Sequence, residues 1–512
     1  MGLAHPAGRR RPSPVLQPRC MILHACTGVA RRRAAGTASS EAWGLQPRRS
    51  PPCAPRTWRP ARCSSTSPPT RACSHTRGRA AASCAPRRGV GPTPGRARGA
   101  AMFVRPASLG ARVSRGSVPH TNRLRRFYAE WQAMKRFRSL PLEEREIVFY
   151  AETKADWVHF APIIRELTEA HDKRVCYLTS DHEDSVLEGH HPNILPFGIG
   201  SGTVCTILFR ALEARVMVIT LTDLDAYHLK RSAAYPVHYV YVFHSMVSSH
   251  MVFRPKAYDA YDTILCVGPH HTREIRTNEA LHGLRPKRLI EHGYGRLDAI
   301  VEASRTRPAF RPSSGPAKSV LIAPSWGADS ITATCADELI AVLLSAGHGV
   351  TFRPHPMSVR QQKPVIDRIR SKFGSHPRFS LELDVRSSQS LHDADVMISD
   401  WSGAALEFAL GLERPVLFID TPRKVNNRDY ARLQCEPLEV LIRPQVGVVV
   451  SPQDLGEIPS QVATLCAHRD QFVERIREAR ARWIYNLGSS GRVGATAVLD
   501  ALESTRNGHP RP

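Results

Sequence analysis

The feature of this sequence that most restricts its fold is a repeated alternation of short apolar runs and helical patterns, which begins at Ile147. Runs such as IVFYAE (147–152) and VMVIT (216–220) have the length and residue types of buried strands, and segments with helical periodicity separate them. The pattern recurs with SVLIAPS (319–325) and GVTFRPHP (349–356). Strands that alternate with helices predict parallel sheets covered by helices on both faces.

We therefore predict an α/β protein in which two doubly wound Rossmann-type domains face a cleft and a disordered basic N-terminal tail precedes them. The predicted segments are the tail (1–120), a basic amphipathic helix (121–145), an N-terminal Rossmann-like domain (146–301), a linker (302–318) and a C-terminal Rossmann-like domain (319–505).

The net charge of +25 comes almost entirely from the tail. Residues 1–120 contain 22 Arg, no Lys and one acidic residue, Glu41, whereas the remainder is near neutral. A nucleic-acid-binding function is therefore not expected. The Arg- and Pro-rich composition predicts disorder. An organellar transit peptide and a translation start at Met102 or Met134, which would leave the tail without function, are both interpretations of this segment.

Residues 121–145 combine basic residues with Phe127, Tyr128, Trp131 and Phe137 on or near one helix face. Such a helix either lies on an anionic membrane surface or packs against its own domain. No apolar run reaches the ~18–20 residues that a membrane-spanning helix needs. We expect a cytoplasmic protein that can lie peripherally on the inner face of the cell membrane.

Four polar residues follow predicted strands, and ligands of such sheets bind beyond the carboxyl ends of the strands. These residues are His244, Ser325, His355 and Asp400. A histidine near its ordinary pKa can take a proton from a hydroxyl group, which makes His244 a candidate base. Arg353 and His355 lie in RPHP, where prolines fix the backbone, and both could donate hydrogen bonds to a diphosphate.

The segment Val396–Tyr430 predicts a strand, a small-residue turn at Ser402 and Gly403, and a helix over 404–412. Backbone N–H groups at such a helix start can hold a phosphate. Glu407 lies near the first turn and is a candidate ligand of ribose hydroxyls.

Several other classes of site are not supported by the sequence. It has no P-loop, GxGxxG or GxSxG motif, which argues against an NTPase, an NAD enzyme and an α/β-hydrolase. No cysteine or histidine cluster has metal-ligand spacing, so we predict metal-independent chemistry without a resident cofactor. The pairs His190-His191 and His270-His271 are assigned to the surface.

The segments FHS (243–245), GYGRLD (293–298), APSW (323–326), RPHP (353–356) and VMISDWSGAALEFALGLERPVLFID (396–420) occur in this order. Together they resemble the CDP-glycerol glycerophosphotransferase family, over roughly residues 145–500. The resemblance implies a GT-B fold with an acceptor domain followed by a nucleotide-binding domain. It also implies CDP-glycerol or a related CDP-alcohol as donor, a glycan or lipid-linked acceptor, and release of CMP.

The same resemblance implies roles for single residues. His244 matches the catalytic base, and His355 matches a histidine that contacts the diphosphate or assists the leaving group. Ser402 and Gly403 match a phosphate-binding pair in which Ser is usual at the second position, and Glu407 matches a ribose-binding carboxylate.

The sequence departs from the family pattern near the donor and acceptor. Ser245 follows His244 where Gly is usual, and Gly327 follows a Trp where Arg is usual. These departures leave the donor alcohol and the acceptor open. A sugar-nucleotide enzyme of the same fold, either a glycosyltransferase or similar to UDP-N-acetylglucosamine 2-epimerase, is the alternative.

Overall fold

Two parallel β-sheets, one of seven strands and one of six, organise the part of the chain that the structure describes. The structure is a computed structural model that describes residues 120–384 and 389–507. Up to residue 119, the predicted tail lies outside the described residues, and so does Met102.

The first sheet has the strand order β3-β2-β1-β4-β5-β6-β7. Its strands are β1 (Ile147–Ala151), β2 (Val175–Thr179), β3 (Ile194–Gly198), β4 (Val216–Ile219), β5 (His238–Val242), β6 (Thr263–Cys266) and β7 (Arg288–Glu291). The accompanying helices are α1 (His120–Ser139), α2 (Trp157–Arg165), α3 (Thr203–Arg210), α4 (Ser249–Val252), α5 (Pro269–His282) and α6 (Gly295–Thr306). A π-helical turn, Glu166–Ala170, extends α2.

The second sheet has the strand order β10-β9-β8-β11-β12-β13. Its strands are β8 (Ser319–Ile322), β9 (Gly349–Phe352), β10 (Phe379–Leu381), β11 (Val396–Ser399), β12 (Val416–Ile419) and β13 (Gly447–Val450). Its helices are α7 (Ile331–Thr334), α8 (Ala336–Ser345), α9 (Pro356–Gln361), α10 (Lys363–Phe373), α11 (Gln389–Asp393), α12 (Gly403–Leu412), α13 (Leu438–Val446), α14 (Ile458–Ala467) and α15 (Arg469–Trp483). A further helix, α16 (Ser490–Arg506), follows them.

Both strand orders confirm the prediction of two doubly wound sheets. In each sheet the chain moves outward from the first strand in one direction and then returns to fill the other side, as in Rossmann folds. The central strands β1, β4, β11 and β12 are buried along their whole length. Burial on both faces explains why these runs are continuously apolar rather than alternating.

The last helix returns to the first sheet. Ala497, Val498 and Leu502 of α16 pack in one apolar cluster with Phe149 of β1 and Phe160 of α2. The predicted C-terminal range, 319–505, therefore includes a helix that covers the opposite half of the protein. The predicted linker, 302–318, likewise begins within α6, which continues to Thr306.

Helices α6 and α12 form the main contact between the two halves. A Cβ at Gly411 of α12 would lie 2.6 Å from Ile300 Cγ2 and 3.3 Å from Leu297 Cδ1 of α6. Only a residue without a side chain allows this approach. The contact holds the C-terminal end of α12 against α6 of the N-terminal half.

The C-terminal half of α1 packs against the first sheet. Met134 and Phe137 are buried, and Phe137 contacts Phe197 of β3 edge-on. Near the other end, Leu124, Phe127 and Tyr128 are 71%, 47% and 64% exposed. The C-terminal half of α1 thus packs against its own domain, and membrane contact of the exposed part stays a prediction. Among the described helices, none is long and apolar enough to cross a membrane.

His270 and His271 are buried in α5, so their assignment to the surface was wrong. Their Nε2 atoms lie 2.9 Å from the carbonyl oxygens of Met246 and Val247, and the His271 ring stacks on Phe243 at 3.6 Å. Both Nε2 atoms therefore pair with backbone carbonyl groups instead of water. They also fix the backbone just after His244.

We expect two buried histidines, His270 and His292, to lower the free energy of unfolding in acid. Burial lowers the pKa of His270 and of His292 to about 4. Below about pH 6.5 the unfolded chain binds protons at both positions, while the folded protein does not until about pH 4. The free energy of unfolding should therefore fall as the pH falls, by on the order of 1–2 kcal/mol for each histidine at about pH 5.

Urea denaturation at about pH 7 and about pH 5 measures this effect. His250 acts in the opposite direction, because its hydrogen bond to Glu274 raises the pKa of its ring against the effect of burial. Equal free energies of unfolding at the two pH values would contradict the prediction.

Candidate active site in the cleft between the two sheets

The N-terminus of α12 lies where the strand order of the second sheet reverses, between β8 and β11. Ser402 caps the helix, and its Oγ accepts a hydrogen bond from the Ala404 N–H at 3.3 Å. Free N–H groups and the helix dipole favour an anion at such a position. Ser402 and Gly403 therefore occupy the place that a phosphate-binding pair requires, and that role stays a prediction.

Asp400 is fully buried and organises the neighbouring loop. Its Oδ1 accepts from the Ser325 N–H at 2.7 Å, and its Oδ2 accepts from the Ile331 N–H at 3.0 Å. Both oxygens are thus committed to the backbone between β8 and α7. Asp400 thus fixes the loop that carries Ser325, and the predicted contact of these two residues with the nucleotide stays a prediction.

This loop forms one wall of a pocket of about 170 Å³. The other wall is formed by Trp401 and residues 421–426 after β12. Within it the ammonium group of Lys424 lies 3.8 Å from the centroid of the Trp326 ring. Burial lowers the pKa of Lys424 to about 8, although the charge of Asp400 acts in the opposite direction. The pocket therefore presents an aromatic surface with a cation beside it.

His355 is the N-cap of α9 and lies near the same pocket. Its ring is 6.1 Å from Trp326, and its Nδ1 accepts a hydrogen bond from the Met357 N–H at 3.1 Å. Burial and the neighbouring charge of Lys424 lower the pKa of His355 to about 4. The ring is then neutral at pH 7 and carries its proton on Nε2, so it can donate a hydrogen bond but is a poor acid.

Arg353 is buried just before His355. Its Nη1 donates to Ser390 Oγ at 3.3 Å and lies 3.9 Å from Glu382 Oε1. Its guanidinium group thus has protein partners in this structure. The predicted contact with a diphosphate stays a prediction.

His244 follows β5 and keeps access to solvent through the cleft. Its ring packs edge-on against His159 at 6.4 Å and Phe253 at 6.0 Å. The surrounding protein lowers the pKa of His244, while the charge of Asp156 and a hydrogen bond to the backbone of Thr220 act in the opposite direction. The ring is therefore neutral at pH 7, which is the form that a general base needs.

Glu407 joins the two halves of the protein. Its Oε1 accepts from the Tyr294 hydroxyl at 3.1 Å, and its Oε2 accepts from Arg296 Nε at 2.8 Å. The Tyr294 oxygen also lies 3.1 Å from the carbonyl oxygen of His244. A carboxylate has further lone pairs, so Glu407 can still accept a ribose hydroxyl, and this role stays a prediction.

The loop that follows His244 faces the start of α12. A Cβ at Gly403 would lie 3.0 Å from Ser245 Oγ. The candidate base and the candidate phosphate-binding turn, 159 positions apart in the sequence, are therefore brought into the same part of the cleft. His355 lies beside Trp326 of the aromatic pocket, and Asp400 holds the loop that forms one wall of that pocket.

Two residues of the site were not among the sequence-based candidates. Lys424 follows β12, so the strand-end argument applied to that strand would have identified it. Tyr294 lies in GYGRLD, but its role depends on contacts with His244 and Glu407 that no local pattern contains.

The family model Glyphos_transf, described as CDP-Glycerol:Poly(glycerophosphate) glycerophosphotransferase, matches residues 133–424 of this chain. The matched range is more than half of the 512 residues. It includes every candidate residue described above, from His244 to Lys424. A search of curated proteins finds no significant match.

Solved structures with a similar fold include the wall teichoic acid polymerase TagF, from a crystal soaked with CDPG (12% identity, TM-score 0.43, covering 76% of this chain and 100% of that chain). A second is the UDP-GlcNAc 2-epimerase of Methanocaldococcus jannaschii in complex with UDP-GlcNAc and UDP (13%, 0.45, 69% and 98%). A third is MurG of Acinetobacter baumannii (11%, 0.39, 70% and 99%).

Proposed function

Since this chain belongs to the CDP-glycerol:poly(glycerophosphate) glycerophosphotransferase family, we propose that it transfers an alcohol phosphate from a CDP-alcohol to a hydroxyl group of its acceptor. The alcohol is glycerol or a related one. The acceptor is a cell-envelope glycan or a lipid-linked molecule, and CMP is released.

One observation carries the proposal. The loop after His244 meets the N-terminus of α12, with Ser245 Oγ 3.0 Å from the position of a Cβ at Gly403. A phosphate held by the helix N-terminus would therefore lie next to the loop that directly follows His244, and the His244 ring is neutral at pH 7. A base beside the electrophilic phosphorus is what transfer to a hydroxyl requires.

In the proposed reaction, His244 takes the proton of the acceptor hydroxyl. The acceptor oxygen then attacks the phosphorus that carries the alcohol, and the P–O bond to CMP breaks in line. Such a transfer depends on positioning and on stabilisation of negative charge more than on covalent chemistry. No oxidant or reductant is required, because no atom changes its oxidation state.

The second half supplies the groups that stabilise this charge. The backbone N–H groups at the start of α12 and the Nε2–H of His355 are neutral donors, and Lys424 adds a positive charge near the pocket. We propose that the pocket beside Trp326 takes the nucleotide part of the donor, because its aromatic surface can stack on a base.

Thermal shift of the full chain against cytidine and uridine ligands tests this function. A ligand that binds only the folded protein stabilises it by about 2.7 kcal/mol at a hundredfold excess over Kd. We expect CDP-glycerol, CDP-ribitol and CMP to raise the melting temperature. In a second measurement, we expect the protein to release CMP from CDP-glycerol when a polyglycerol phosphate acceptor is added.

The same experiment also tests the alternative, a sugar-nucleotide enzyme of the same fold. A response confined to UDP and UDP-N-acetylglucosamine would favour a sugar-nucleotide enzyme. The absence of any response would contradict both.

We also propose that the first half of α1 lies on an anionic membrane, which would bring the site close to a lipid-linked acceptor. Leu124, Phe127 and Tyr128 are exposed and lie among the exposed Arg123, Arg125 and Arg126. Apolar side chains can enter the headgroup region while the arginines contact acidic lipids.

Sedimentation with vesicles measures this binding. We expect the full chain to sediment with phosphatidylglycerol vesicles more than with phosphatidylcholine vesicles. A variant with Leu124, Phe127 and Tyr128 changed to Ser should lose most of that binding, whereas Val449→Ser, an exposed apolar residue on β13, should not. Unchanged sedimentation of the triple variant would contradict the proposal.

A further inference from the structure

The first turn of α12 begins with a glycine, and a residue of the opposite half of the protein lies beside it. Gly403 is the first residue of the helix. A Cβ there would lie 3.0 Å from Ser245 Oγ and 3.7 Å from Val247 Cγ1. The Ser245 hydroxyl group therefore occupies the space that a side chain at position 403 would use.

The hydroxyl groups of Ser245 and Ser402 are both arranged to donate. Ser245 Oγ accepts from the Val247 N–H at 3.4 Å, and Ser402 Oγ accepts from the Ala404 N–H at 3.3 Å. Within the described residues, neither hydroxyl donates a hydrogen bond to another protein group. Each oxygen is thus held by a backbone N–H while its own proton stays available to a ligand.

The loop that carries Ser245 is fixed to the second half at its far end. The Ser248 N–H donates to Glu439 Oε2 at 3.0 Å, and Ser248 Oγ accepts from the Leu438 N–H at 2.6 Å. Asn427 Nδ2 donates to the His250 carbonyl oxygen at 2.8 Å. All of these bonds cross between the two halves, so they set the position of Ser245 relative to α12.

We propose that Ser245 is a positioning residue that donates a hydrogen bond to the donor diphosphate across the cleft. With Ser402 and the N–H groups of α12, it completes a phosphate site to which both halves contribute. Because Ser245 directly follows His244, one short segment would then position both the base and the phosphoryl group that the acceptor attacks. This inference rests on the proposed function.

A hydroxyl–phosphate hydrogen bond is charge-assisted and therefore stronger than a neutral one. Gly403 brings no side chain to the first turn of α12, and Ser245 brings a hydroxyl group to the same place from the opposite side of the cleft.

The test is a cycle of four variants of the full chain: Ser245→Ala, Ser245→Gly, Gly403→Ser, and Ser245→Gly combined with Gly403→Ser. The measurements are kcat and KM for CDP-glycerol, with the donor Kd from calorimetry. Ser504→Ala on α16 is the matched control, since its side chain is exposed and bonds only within its own helix.

We expect Ser245→Ala to lower kcat/KM and donor affinity by roughly tenfold to a hundredfold, the loss of one hydrogen bond to a charged group. Gly403→Ser alone should also lower kcat/KM, because its side chain meets Ser245 Oγ. The combined variant should recover most of the activity, since the hydroxyl group returns from the other side. Ser504→Ala should match the wild type.

Two results would overturn the proposal while leaving the proposed function intact. One is a Ser245→Ala variant with the kcat/KM and donor affinity of an active wild type. The other is a combined variant no better than its worse single change, which would show a structural role. A wild type that binds no cytidine ligand would overturn both the proposed function and this inference.

Discussion

Replacing His244 with Ala is expected to lower kcat for alcohol phosphate transfer by roughly 10²- to 10⁴-fold, the usual contribution of a general base. The affinity for CDP-glycerol should stay nearly unchanged. This is because the groups proposed to bind the donor lie mainly in the second half, whereas His244 belongs to the first half, on the proposed acceptor side. Single-turnover rates and donor Kd values, measured separately, check this.

The pH dependence of the wild type gives a second readout. Because the surrounding protein lowers the pKa of His244 below its ordinary value, the basic form should persist at pH 7. The rate should decline only as the pH falls through that lowered pKa. His190→Ala, an exposed histidine of the same half, is the control and should keep full activity. Equal losses of kcat and of donor affinity in His244→Ala would show that His244 is a binding or structural residue.

Much of the fold could be predicted because the central strands of parallel sheets are apolar throughout. The strands that were missed lie at sheet edges. Among them, β7 has exposed Arg288 and Glu291, so it lacks the apolar run of a buried strand. β13 follows α13, where Pro444 interrupts the helical pattern that would have indicated a strand–helix unit.

The site shows a different limit of sequence reasoning. Strand ends indicated which residues lie at one edge of each sheet, but not what each side chain would contact. Asp400 lies at a strand end, yet both of its oxygens bind backbone N–H groups that the loop after β8 brings to it. Glu407 pairs with Arg296, which is 111 positions away in the sequence. Contacts of this kind follow only from the packing of the two halves.

Asp400→Ala is expected to be the most destabilising single change in the site. Asp400 is 1% exposed, and its carboxylate accepts from the N–H groups of Ser325 and Ile331 at 2.7 and 3.0 Å. Ala would leave both buried donors without a partner. Because unmade hydrogen bonds to charged groups are costly, the free energy of unfolding should fall by about 3 kcal/mol. Urea denaturation measures this loss.

The Asp400→Ala change should also weaken donor binding, because Asp400 holds a loop that lines the proposed nucleotide pocket. The Ser325 and Ile331 N–H groups fix the two ends of the loop that forms one wall of the pocket beside Trp326. Asp400→Asn, which keeps one acceptor oxygen, should show intermediate losses of stability and of CDP-glycerol affinity. Asp470→Ala, an exposed aspartate in the first turn of α15, is the matched control; it should leave CDP-glycerol affinity unchanged and lower the free energy of unfolding by no more than about 1 kcal/mol, the contribution of a carboxylate at a helix N-terminus. If Asp400→Ala retained wild-type stability and lost only donor affinity, Asp400 would contact the donor directly, as its strand-end position first predicted.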